Sequence, residues 1–184
     1  MEKKAEAQRE VRQILAVLRI IVLSLAMGVV AFLVVALTRQ PSEPPEQPKL
    51  WMYMAGLAGM ALLTQMVVPR VLFMAIRRKI AQGTWQPQNK RGIRPPQTDE
   101  GLLMAALQSK TIVGCALLEG AGFANVFAFM SEGRLTSVVI AAFLIVMIAA
   151  HFPLRMRVDA WLERQRQWLE EERSLNPRID QMSS

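Results

Sequence analysis

The chain has 184 residues, 52% of them hydrophobic, with 22 Lys and Arg against 15 Asp and Glu and a formal charge of +7. One cysteine excludes an intrachain disulfide, and one histidine with no HExxH or CxxC spacing argues against a transition-metal site. No P-loop, GxGxxG or GxSxG pattern occurs and no nucleophile–base set stands out, so neither an enzyme nor a cofactor is expected.

The apolar residues gather into four blocks separated by charged or Pro-rich segments. A bilayer core about 30 Å thick takes about 20 apolar helical residues, and the blocks have that length. A segment crossing lipid must satisfy its own backbone hydrogen bonds, so each block is predicted to be a helix. Nothing alternates with period two over about ten residues, which argues against a β-barrel. The first block, 14–37, contains Arg19. Its apolar core from Ile20 to Leu37 is too long for a secretory signal, and TRQ follows in place of a small-x-small cleavage site, so a retained span is expected. The loop TRQPSEPPEQPK carries four prolines and reads as a stiff extended spacer.

The second block, 50–76, holds Thr64, Gln65, Pro69 and Arg70. The loop after it has Gly83, Pro87, Gly92, Pro95 and Pro96 and is too broken to fold by itself. Thr98 or Asp99 is expected to cap the third helix. That helix begins in water, runs through 103–130 and enters the membrane near Lys110, with Thr111–Met130 as its apolar part. SEGR at 131–134 reads as a tight turn with Gly133 as breaker, and the fourth block is 135–152. After Pro153 the chain turns polar. Leu154, Val158, Trp161, Leu162, Trp168 and Leu169 share one helical face over residues 154–173. Such a face serves equally for lying on headgroups or a partner and for packing on the chain's own cytoplasmic segments. Residues 174–184 read as a disordered tail. The two pairs of blocks share no pattern, so an inverted-repeat transporter is not supported.

Charge placement gives the orientation. Nineteen of the 22 cations lie in the N-terminal segment, the central loop with its flanks, and the C-terminal tail. Only Arg39, Lys49 and Arg134 lie on the other side. The positive-inside rule puts both termini and the central loop in the cytoplasm, and an even number of spans requires the same. The expected location is the cell membrane, in particular a bacterial inner membrane. The cations then face anionic headgroups at about 1 kcal/mol each, and nucleic acid is not an expected partner.

Glu119, in ALLEGAG, is the one carboxylate in an apolar run of twenty residues. At 1.5 Å per residue from Thr111 it lies about 12 Å deep, near mid-core. Arg19 and Arg70 come out about 7 and 10 Å deep, with Gln65 a little deeper. A bare charge there costs about 3 kcal/mol or more, so Glu119 either pairs with Arg70 or Arg19 or keeps its proton. A paired Glu119 is a structural clasp, whereas a neutral one can carry a proton. Ala116, Gly120 and Ala124 form a small-xxx-small stripe suited to helix packing, and Gly56 and Gly59 offer the same on the second span. Asn125 reads as an interhelical hydrogen bond and Cys115 as a small core residue.

The stretch LLMAALQSKTIVGCALLEGAGFANVFAFM resembles the carboxylate-bearing helix of rotary ATPase c subunits. In that family a mid-membrane acid, flanked by Ala or Gly and following a basic cytoplasmic loop, binds the translocated proton or sodium ion. Glu119 occupies the matching place, so the resemblance implies a protonatable Glu119. It covers one span; the family's glycine-rich first helix has only Gly56 and Gly59 for a counterpart here. The whole reads as an all-α, four-helix transmembrane bundle over residues 1–153 with an amphipathic cytoplasmic C-terminal helix. The expected role is a membrane scaffold or interaction protein, as a homo-oligomer or within a membrane complex. The alternative is proton or cation handling through Glu119.

Overall fold

The structure, a computed structural model, describes residues 2–39, 49–85, 96 and 98–174. Every regular element among them is helical: α1 (Glu2–Thr38), α2 (Leu50–Ala81), α3 (Asp99–Glu132), α4 (Leu135–Ala150) and α5 (Arg155–Ser174). Three of these, α1 to α3, are long and apolar enough to cross a membrane, and there are four if α4 and α5 form one broken span. The Pro-rich spacer, most of the central loop and the expected disordered tail lie outside the described residues, except for Ser174, which closes α5.

Local chemistry sets the helix ends. The backbone N–H of Gly83, at φ 67°, donates to the Ile80 carbonyl at 3.0 Å, and that of Thr84 donates to Lys79 at 3.0 Å. This closes α2 with a left-handed glycine. Thr98 is the residue that caps α3, its hydroxyl oxygen accepting from the Gly101 N–H at 3.1 Å. The same hydroxyl donates to Glu10 Oε2 at 2.6 Å. Gly133, at φ 68°, breaks the chain between α3 and α4 as its spacing predicted.

The chain divides into two compact units. The first comprises Met1–Leu18, Arg70–Lys110 and Pro153–Ser184; the second comprises Arg19–Pro69 and Thr111–Phe152. In the first unit Leu15, Phe73, Ile80, Leu103, Met104, Val158, Leu162 and Leu169 form one buried core. Trp161 lies against Phe73 with ring centroids 5.3 Å apart and the ring planes tilted by 58°. Of the two uses open to the apolar face of α5, packing within the chain is therefore the one observed. Two ion pairs fasten that helix. Arg77 reaches Glu172 at 2.8 Å with its guanidinium 4.9 Å from the Trp168 ring, and Arg166 reaches Glu100 at 3.2 Å.

The first and second apolar blocks each run from one unit into the other. Residues 14–18 and 70–76 belong to the first unit, where Leu15 and Phe73 join its core. The fourth helix stops at Ala150, two residues short of expectation. His151 and Phe152 close on the Ile148 and Ala149 carbonyls in tighter turns, and Pro153 has no N–H to continue the ladder. With 16 residues α4 is about 24 Å long, less than the roughly 30 Å of a bilayer core.

In the second unit α3 is the central helix. Of its most apolar 18-residue window 44% is buried, against 17% for the corresponding windows of α1 and α2. The outward faces of α1 and α2 carry large apolar side chains such as Ile20, Leu23, Met60 and Leu63, all more than half exposed. Such a surface suits lipid and not water.

Candidate functional site: polar groups among the apolar helices

Where α1 meets α3 in the second unit, the approach is set by glycines. A Cβ on Gly122 would lie 3.0 Å from Val29 Cγ1, and one on Gly28 would lie 3.3 Å from Glu119 Oε1 and 3.5 Å from the Phe123 ring. Phe32 meets Phe123 edge to face, with centroids 5.5 Å apart. Glu119 thus sits at the α1–α3 seam against a glycine, half-buried. No hydrogen bond or ion pair among the described residues holds its carboxylate, and within this unit Arg19 does not clasp it. Arg19 instead places its guanidinium 5.8 Å from the Phe152 ring centroid, and Arg70 is exposed.

The predicted packing stripe is displaced around the helix. Ala116 and Gly120 are exposed and Ala124 is half-buried, while Gly56, Gly59 and Gly120 have nothing within 4 Å of a built Cβ. The face of α3 that the chain covers is the one with Cys115, Leu118, Ala121, Gly122 and Asn125. Both faces carry small residues at helical spacing, and spacing cannot say which one meets a neighbour.

The remaining polar groups hold helices together. Asn125, fully buried, donates from Nδ2 to the Met54 carbonyl at 3.0 Å and to Ala121 at 2.9 Å, the interhelical bond its position suggested. Gln65 Nε2 lies 2.8 Å from His151 Nε2, and His151 Nδ1 lies 2.7 Å from the Met147 carbonyl. A carbonyl only accepts, so Nδ1 carries the proton and Nε2 accepts from the Gln65 amide. Gln65 is therefore part of a strut between α2 and the end of α4. Cys115 is fully buried, as expected of a small core residue.

Comparison with protein-family models, with curated proteins and with solved structures found no match. The site therefore has to be read from its own chemistry. No group of three His, Cys, Asp or Glu able to hold a metal occurs among the described residues.

Glu132 is the polar residue that sequence reasoning passed over. It is 7% exposed, and its Oε1 and Oε2 accept the Leu50 and Trp51 N–H groups at 2.6 and 3.1 Å. It caps α2 from 82 residues away. Arg134, two residues on, lies over the Trp51 ring at 5.7 Å. A signal was present. An acid in the last turn of α3 opposes that helix's own dipole, so it calls for a positive end elsewhere, and the start of α2 supplies one. Of the two described carboxylates in this unit, Glu132 serves as a cap, and Glu119 is the one left for a proton or for a donor from outside the chain.

Proposed function

We propose that the chain is a four-span membrane protein, both termini cytoplasmic, that acts as a non-enzymatic scaffold by helix association in the plane of a bacterial inner membrane. Support for the topology comes from where three helices change unit: at Leu18/Arg19, Pro69/Arg70 and Lys110/Thr111. Each crossover has a cation beside it, and each leaves about 20 helical residues in the second unit, roughly 30 Å. Cations at one end of membrane-length segments are what a cytoplasmic interface selects. The fourth span is α4 completed by the residues after it.

The observation that carries the scaffold reading is the open small-residue surface. Gly56, Gly59 and Gly120 are exposed with no neighbour, and such faces let helix backbones of another chain come close. The test is energy transfer between donor- and acceptor-labelled copies in lipid vesicles, followed as lipid is added. Transfer that persists on dilution and is lost in Gly120→Leu, with helix content unchanged, is the expected result. A native chain that dilutes to monomers, together with a failure to retain any membrane protein after cross-linking in cells, would overturn the reading.

A second reading rests on Glu119 being unheld. A half-buried acid with no ion pair at mid-span suits a group that takes up and releases a proton or cation. It predicts acid-driven flux into liposomes that disappears in Glu119→Gln, and labelling of Glu119 by a hydrophobic carbodiimide. Absence of both in folded protein removes it.

A further inference from the structure

We propose that the first turn of α5, with Leu154 before it, is an anchor for anionic phospholipid headgroups. This rests on the reading of the chain as membrane-embedded and names a lipid class and a site for it. Three observations within the first unit lead there.

The first is exposure. Val158, Leu162 and Leu169 are buried in the unit's core, whereas Met156 is 86% exposed and Leu154 48%. Two large apolar side chains are thus left out of the core at one end of the helix and beside exposed arginines, 155 and 157. The second is the want of local partners. Arg157 has no hydrogen bond or ion pair among the described residues. Arg155 has only Asp159, at 3.8 Å and with both side chains more than half exposed, a pair worth little in water. Arg166 and Arg77, by contrast, are committed to Glu100 and Glu172.

The third is the order of charge along the helix. A helix is stabilised by acids near its start and by cations near its end. The start of helix α5 does the reverse: no acid stands in its first turn, which holds Arg155 and Arg157, while Glu170, Glu171 and Glu172 stand near its end together with Arg173. That order costs the isolated helix stability, so something other than the helix selects it. An anionic surface at the first turn accounts for it. Phosphodiesters meet the two guanidinium groups; of the exposed acids Asp159 is one turn away and weakly paired with Arg155, whereas Glu170 and Glu171 stand about 20 Å further along, beyond a Debye length. Only four residues separate this turn from the end of the last apolar helix, so in a membrane-embedded chain it comes close to the headgroup layer. There Leu154 and Met156 enter the hydrocarbon edge while the arginines stay with the phosphates.

The test uses the full chain in nanodiscs of phosphatidylcholine with or without phosphatidylglycerol. A fluorophore is attached through Met156→Cys in a Cys115→Ser background, and a second protein carries it through Leu63→Cys on the exposed face of α2. Quenching at position 156 by lipids spin-labelled near the headgroup, stronger with phosphatidylglycerol, is expected. Neutralising both cations in the pair Arg155→Gln and Arg157→Gln should weaken phosphatidylglycerol binding about tenfold to thirtyfold, at about 1 kcal/mol per cation. Helix content should stay unchanged. Deep quenching at position 63 with only aqueous iodide quenching at position 156 overturns the anchor and leaves the membrane reading standing. So does an unchanged lipid preference in the doubly neutralised protein. No deep quenching at position 63 overturns the membrane reading, and the anchor with it.

Discussion

Removing the Glu132 carboxylate should loosen the start of α2 by an amount that its geometry allows to be estimated. Its two oxygens accept backbone N–H groups at 2.6 and 3.1 Å, and the side chain is almost fully buried. Hydrogen bonds to a charged group are worth about 1.5–3 kcal/mol each, and an acid at a helix N-terminus adds up to about 2 kcal/mol when partly buried. Glu132→Ala deletes both bonds and leaves the Leu50 and Trp51 N–H groups unpaired. The last turn of α3 recovers part of that, because an acid opposing its dipole is gone. A net loss of about 3 kcal/mol is expected. Glu132→Gln keeps one acceptor and the shape, and should cost about half as much. The assay is reversible unfolding in mixed micelles followed by circular dichroism, with exchange of the α2 amides read in parallel. The loss should be concentrated in the first turn of α2. If the alanine variant unfolds with the native midpoint, or if glutamine is as damaging as alanine, the cap is not what joins these helices.

Three further outcomes follow from other contacts. Gly122→Leu should destabilise the second unit by about 1–3 kcal/mol, since any Cβ there meets Val29, whereas Gly120→Leu should leave the unfolding midpoint of the monomer unchanged. Gly101→Ala should destabilise the first unit because its methyl would overlap Glu10 Oε2 and Pro96, and Glu10→Ala should relieve part of that loss in a double-mutant cycle. Arg77→Ala leaves Glu172 without its cation and removes the guanidinium from the Trp168 ring; a loss of about 2 kcal/mol and faster amide exchange along α5 are expected, with proteolysis of α5 as a simpler readout.

What the sequence made legible was local. A cap at Thr98 or Asp99, Gly133 as a breaker and Asn125 as a bridging amide are each read from a residue and its immediate neighbours; the structure chooses Thr98 for the cap and has the other two as read. The apolar blocks became helices for the same reason. Contacts between distant segments were not legible. The stripe Ala116–Gly120–Ala124 and the face Cys115–Gly122 have the same small-residue spacing, and only the arrival of Val29 and Gly28 on the second decides which is covered. Likewise, the apolar character of Ile14–Leu18 and Arg70–Ile76 was visible, but not that Leu15 and Phe73 share a buried core with residues of α3 and α5. The apolar face of α5 was visible and its destination was not, since a headgroup layer and a protein core ask for the same pattern.

Helix α3 carries two acids in its apolar half, and their different fates sharpen what Glu119 has to do. Glu132 has two N–H donors and a role that needs nothing beyond the chain. Glu119, some 20 Å away along the same helix, has a glycine on one side and an unfilled small-residue surface on the other. A carboxylate in lipid without donors is not tolerated as an anion at ordinary cost, so it is either neutral or met by another molecule. These alternatives make opposite demands on Gly120. If a second chain meets the acid, bulk at Gly120 obstructs that approach, and Gly120→Leu and Glu119→Leu should lower association together. If the acid works as a lone proton carrier, Gly120→Leu should leave carbodiimide labelling of Glu119 intact or slow it only by shielding, with association unaffected. Measuring both quantities in the same two variants separates a scaffold whose acid is a contact from a carrier whose acid is the site.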